Sequence, residues 1–162
     1  MQAADESLKL KVTIDVKGEI AYIFLSGRVD EDSDLSGLSS IEQDTIIFDF
    51  DKLDGMNSCG IREWIKFINA LSDNKNITYS NCPVQIIEQI NMIMDFRKKG
   101  TEIKSFYAPY YCEECDHESF CLLQAEEVAD VSNPPAKNCE KCGSEMEFDY
   151  PPEQFFRFLG NK

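Results

Sequence analysis

From Leu8 to Lys17 the chain alternates one for one, with Leu8, Leu10, Val12, Ile14 and Val16 set between Lys9, Lys11, Thr13, Asp15 and Lys17. Successive side chains of a strand point to opposite faces, so this period of two predicts a strand with one face on a core and one in water. Gly18-Glu19 reads as a turn, and the unbroken apolar run Ile20–Leu25 predicts a second, central strand covered on both faces. Turn formers and charges from Ser26 to Asp34 interrupt the pattern, after which Leu35, Leu38 and Ile41 mark a short helix. Ile46–Phe50 predicts a third strand, followed by a loop holding Asp51, Asp54 and Gly55. Ile61, Trp64, Ile65, Ile68 and Leu71 then recur at helical spacing, with Arg62, Glu63, Lys66 and Asn69 on the other side. Ile77–Ser80 makes a fourth strand. Pro83 opens a helix whose stripe Val84, Ile87, Ile90, Ile93 and Met94 runs to about Phe96, and Lys98-Lys99-Gly100 closes it. Alternation returns over Thr101–Tyr107 as a fifth strand. The predicted order is β-β-α-β-α-β-α-β, an α/β fold.

Past Pro109 the pattern changes, which places a domain boundary near residue 110: a first domain over 1–109 and a smaller one over 110–162. The second begins with Cys112-Glu113-Glu114-Cys115, continues through an acidic segment with Ser132-Asn133-Pro134-Pro135, and reaches Cys139-Glu140-Lys141-Cys142-Gly143. Short strands are expected at Ser119–Leu123 and Glu145–Asp149. Pro151-Pro152 starts a short helix in an aromatic tail, with Phe155 and Phe158-Leu159 on one face.

Charge narrows the function. The net charge is −14, and residues 112–162 alone carry 12 acidic against 4 basic side chains. Such a surface repels phosphate backbones and anionic lipid heads, so no direct nucleic-acid partner and no membrane insertion are expected. The N-terminal Met1–Glu6 has neither a basic head nor an apolar run, and no stretch reaches the ~20 apolar residues that span a bilayer, which predicts a cytoplasmic protein.

Seven cysteines are an odd number for disulfides, and four of them form two Cys-x-x-Cys pairs separated by 23 residues. Cys112, Cys115, Cys139 and Cys142 supply the four thiolates of a tetrahedral zinc, each pair wrapping one edge through a tight knuckle, and Gly143 suits the second turn. Two redox-active dithiols would need a strand–helix context that residues 110–116 lack. Four thiolates leave no open position for water or substrate, so the zinc is structural, and the segment around it has the form of a zinc ribbon. His117 is expected to be exposed and Cys121 to pack inward.

The stretch Asn57-Ser58-Cys59-Gly60 falls between the third strand and the best helix. Asn57 and Ser58 both suit an N-cap, where a side-chain oxygen accepts from first-turn amides. The same place is one where the helix dipole and unpaired N–H groups welcome an anion. Cys59 reads as a small packed residue. The strand–loop–helix passage through Asn57-Ser58-Cys59-Gly60-Ile61, preceded by Leu25-Ser26-Gly27-Arg28-Val29-Asp30, resembles the STAS domain, the fold of the anti-sigma factor antagonists. The resemblance covers about residues 8–109. It implies a mixed β-sheet with helices packed on it, and makes Ser58 the position that a partner serine kinase phosphorylates in that family. Asn57 stands where the family has Asp, and a final helix after the last strand is missing.

What the resemblance implies is a non-enzymatic regulator that binds protein partners, an anti-sigma factor or a serine kinase, through the loop Asn57, Ser58, Cys59 and Gly60, switched by Ser58 phosphorylation. The alternative is a non-phosphorylated adaptor, for example a subunit of a membrane transporter complex. A homo-oligomer is compatible with either. One histidine, a closed thiolate set and no Gly-x-x-x-x-Gly-Lys loop speak against an enzyme.

Overall fold

The computed structural model describes residues 9–160, so Leu8 and the N-terminal Met1–Glu6 lie outside the described residues. Strands β1 (Lys11–Lys17) and β2 (Ile20–Val29) form the opening antiparallel hairpin, with Lys11 opposite Ser26 and Lys17 opposite Ile20. A 3₁₀ turn at Ser36–Ser40 stands where the short helix was expected. Strand β3 (Thr45–Met56) runs parallel to β2, then α1 (Ser58–Ala70), β4 (Asn76–Ser80), α2 (Val84–Met92), a 3₁₀ turn at Met94–Phe96 and β5 (Glu102–Ile103) follow. Parallel neighbours need crossovers: the segment with the Ser36–Ser40 turn joins β2 to β3, and the two helices lie on the crossovers β3–β4 and β4–β5. The sheet order is β1-β2-β3-β4-β5.

Strand β3 is longer than its sequence pattern. Asp51, Asp54 and Gly55, expected in a loop, belong to it, and Leu53 and Met56 keep its inward face apolar. Gly55 is at φ +155, and a Cβ there would sit 2.5 Å from Gln85 Oε1, the atom that accepts from the Met56 N–H at 3.2 Å.

Helices cover one face of this sheet. On it lie Ala21, Ile23 and Leu25 of β2, Ile46, Phe48 and Phe50 of β3, and Ile77 and Tyr79 of β4, all buried. Trp64 of α1 fills the centre with its ring edge-on to Phe48 and Phe50 at 5.1 and 5.6 Å. Its indole N–H donates to the Phe96 carbonyl at 3.2 Å, and the Tyr79 hydroxyl donates to the same oxygen at 2.9 Å. A buried indole thus keeps its one donor satisfied. The opposite face is bare: Phe24 is 42% exposed, so β2 is covered on one face and not on both as its apolar run suggested. Strand β1 departs further, with Ile14 and Val16 on the helix side yet 45% and 48% exposed at the sheet's margin.

The second sheet has the order β7-β6-β8, built from β6 (Ser105–Cys112), β7 (His117–Gln124) and β8 (Glu147–Phe148). It is continuous with the first along the chain, because β5 and β6 are separated by Lys104 alone, and the Tyr107 N–H donates to the Cys82 carbonyl at 2.8 Å. The division expected at 109/110 falls within β6. The tail forms α3 (Pro152–Phe155) and a 3₁₀ turn (Phe156–Leu159), burying Phe155, Phe156 and Phe158. Phe106 meets Phe158 edge-on at 5.0 Å, and Phe148 stacks on Phe156 at 5.2 Å.

Candidate functional site

Both features singled out in the sequence stand at chain turns, and each is assembled from backbone geometry. At the mouth of α1, Asn57 is the N-cap: its Oδ1 accepts from the Gly60 N–H at 2.8 Å. Its own N–H donates to the Val29 carbonyl at 3.2 Å, pinning the start of the helix beside the end of β2. A side chain at position 60 has no room, since a Cβ there would lie 2.0 Å from the Val29 oxygen. The close approach of helix to strand therefore demands glycine.

Capping by Asn57 releases Ser58. Ser58 is the first residue of α1, exposed, and its hydroxyl makes no hydrogen bond among the described residues. Cys59 is half-buried beside it. The other amide hydrogens of Asn57 reach Glu31, with Nδ2 donating to Oε1 at 2.8 Å. That bond is the chief reason the exposed Glu31 carboxyl is held below its usual range. Glu31 sits in a turn fixed by Ser33 and Asp30, whose side-chain oxygens accept from the Asp30 and Asp32 N–H groups at 2.9 and 3.0 Å. Along the sequence Asp30-Glu31-Asp32 is one more charged stretch of a turn. A partner 26 residues away leaves no local signal.

The four cysteines converge. Cys112 ends β6, Cys115 lies in the β6–β7 turn, and Cys139 and Cys142 flank a second turn closed by Gly143 at φ +79. Their sulfurs lie within 4.8 Å of one another, with Cys112 to Cys142 at 3.4 Å and Cys115 to Cys139 at 3.5 Å. Four thiolates about 2.3 Å from one tetrahedral ion stand about 3.8 Å apart, so the cluster fits a zinc ribbon. Backbone amides are aimed at the second pair: the Lys141 N–H approaches Cys139 Sγ at 3.4 Å. The Ser144 hydroxyl and N–H hold Cys142 down at about 6, and the N–H groups of Cys142 and Lys141 lower Cys139. Cys115 is pushed up to about 12, chiefly by its hydrogen bond with Cys139. His117, expected to be exposed, is half-buried in β7, and Cys121, expected to pack inward, is half-buried against the core.

A cleft of about 1120 Å³ lies elsewhere, and none of the candidate site residues Asn57, Ser58, Cys59, Gly60, Cys112, Cys115, Cys139 or Cys142 lines it. Two of its cations are engaged within the chain, Lys98 with Asp73 at 2.7 Å, and Lys75 with the carbonyls of Ile41 and Gln43 at 3.1 and 2.7 Å. Among the described residues, no helix is long and apolar enough to cross a membrane.

No family model matches the chain. No curated protein matches it either. Among solved structures, one neighbour is an anti-sigma factor antagonist from Mycobacterium paratuberculosis, 10% identical, with a TM-score of 0.44, covering 57% of this chain and 81% of that one. At that distance the likeness decides nothing about function, and the chain's own geometry has to.

Proposed function

We propose that the chain is a protein-binding regulator of the STAS type, working through the loop Asn57, Ser58, Cys59 and Gly60 on residues 1–109, with residues 110–162 held by a structural zinc on Cys112, Cys115, Cys139 and Cys142. One observation carries the reading: Asn57 does the capping, so the adjacent exposed hydroxyl of Ser58 has no structural duty. A phosphate on Ser58 would bring about −1.5 to −2 charge and three acceptors to the first turn of α1. The helix end stabilises it. Glu31, bonded to Asn57, adds a second negative charge beside it, so a partner that buries this hydroxyl against an apolar or acidic surface is driven off. Asn57 carries no charge of its own, and Glu31 stands in for the carboxylate expected there.

Mass spectrometry of the protein recovered from its native cell, with Ser58→Ala and Ser58→Asp alongside, tests the switch. Phosphate at Ser58, together with a partner kept by Ser58→Ala and lost by Ser58→Asp, is the expected result. An unmodified Ser58 and a partner indifferent to both variants would leave only an adaptor. Metal content is checked separately, with one zinc per chain expected.

A further inference from the structure

Strand β1 is the margin of the five-stranded sheet, and among the described residues no strand pairs with its outer edge. It runs seven residues without a proline or a register shift, and its backbone bonds go to β2 alone among the described residues. Every residue of it except Val12 is exposed. Such an edge presents a row of unpaired N–H and C=O groups, a template for another strand. The apolar positions beside it want cover as well, since Ile14 and Val16 share the helix-side face of buried Ile23 and Ala21.

We propose that β1 pairs antiparallel with β1 of a second copy of this chain about a two-fold axis through Thr13, joining two five-stranded sheets into one of ten. The sequence 10–16 is self-complementary in this register. Leu10 falls opposite Val16 of the second copy, Val12 opposite its Ile14, and Thr13 opposite its Thr13. Opposed residues of an antiparallel pair share a face, so both apolar pairs extend the face that carries the helices. On the bare face Lys11 stands opposite Asp15 of the second copy, twice by symmetry, as an isologous contact requires. Phe24, paired with Thr13 within each copy, flanks the axis from both sides. At the two ends Lys9 meets Lys17 in water, where Lys17 already has its own Asp15 at 3.8 Å.

Of the neighbouring registers, centring on Ile14 sets Lys11 against Lys17, while centring on Val12 opposes Lys9 to Asp15 and Leu10 to Ile14 but carries Val16 and Lys17 past the first described residue. The free edge of β7 also shows apolar side chains, Phe120 and Leu122 at 57% and 40% exposed, but its charges offer no complementary pair.

The test is a charge exchange on the full chain, read by sedimentation velocity and light scattering. The wild type is expected to dimerise with rising concentration. Lys11→Glu alone sets like charges opposite at both positions, as does Asp15→Lys alone, and each should weaken the dimer about tenfold or more. Mixed together, the two variants regain two opposite-charge pairs and should form the heterodimer in preference to either homodimer. Both variants change only exposed side chains, and circular dichroism of each checks that the fold is kept. A wild type that stays monomeric to millimolar concentration overturns the proposal, as does a dimer that Lys11→Glu leaves unchanged.

Discussion

The helix-covered face of the first sheet is closed by rings from residues 48 to 96, whereas the second sheet draws on supports far apart in sequence: the four cysteines and the phenylalanines of the tail. In the first, Phe48, Phe50, Trp64, Tyr79 and Phe96 interleave at centroid distances of 5.1 to 6.5 Å around one indole. In the second, three strands, one only two residues long, bury Phe106, Tyr110 and Phe148 against Phe155, Phe156 and Phe158. A small sheet buries too little apolar surface to offset the conformational entropy of its strands and turns. Ligand bonds to the proposed zinc would supply what burial does not. The two sheets share one apolar core, and the contrast is that the second alone carries a cysteine set able to hold a metal at its end.

The largest effect should come from the metal. With zinc bound as proposed, chelation would remove the bonds to both cysteine turns, and amide exchange over 112–124 and 139–148 should rise at least about tenfold while β2, β3 and β4 stay protected. Trp64, the single tryptophan, lies in the first sheet's core, so its fluorescence should barely move. Unchanged exchange on chelation would mean the second sheet holds without metal and would dissolve the contrast. Trp64→Ala attacks the other side. Removing a fully buried indole costs about 3–5 kcal/mol, and denaturant melts should show a loss of that size.

What was legible in the sequence follows the same division. The strand and helix order of 11–103 was readable because each element carries its own period: two in β1, 3.6 in α1 with Trp64 and Ile68 inward. The cysteine set was readable from spacing alone. Burial on the second side of β2 was not, since a run such as Ile20–Leu25 fits one covered face or two. The length of β3 was obscured by Asp51, Asp54 and Gly55, which look like a loop although Leu53 and Met56 keep the strand's inward face apolar. The partnership of Asn57 with Glu31 depends on two chain ends meeting, which no local pattern encodes. The tail's role was half visible: Phe155 and Phe158 were expected on one face, and Phe156 is buried with them.

Two smaller changes sharpen the helix mouth. Gly60→Ala forces a Cβ into the Val29 carbonyl, and the shift of α1 this requires should cost about 1–3 kcal/mol in a denaturant melt. Asn57→Ala removes the cap and should cost about 1 kcal/mol. Neither change touches the cysteine turns, so exchange over 112–124 should follow the global loss and nothing more.

The smallest effect is a pH dependence on the first sheet's side. Asp73 is held below its usual range by the hydrogen bond from Lys98, then by its charge, with Nζ to Oδ1 at 2.7 Å. A carboxyl whose folded pKa is depressed contributes stability that is present above its unfolded pKa and lost as pH falls through the folded one. Asp73 is open to solvent, so the contribution is small and screened by salt. Lys98 gives it an asymmetry, because its side chain is only 12% exposed and loses its counter-charge when Asp73 takes a proton. Asp73→Asn should therefore lower the denaturation midpoint slightly at neutral pH, with the gap to wild type closing in the acid range below the unfolded pKa. A gap that persists unchanged in acid would assign the loss to hydrogen-bond geometry instead of charge.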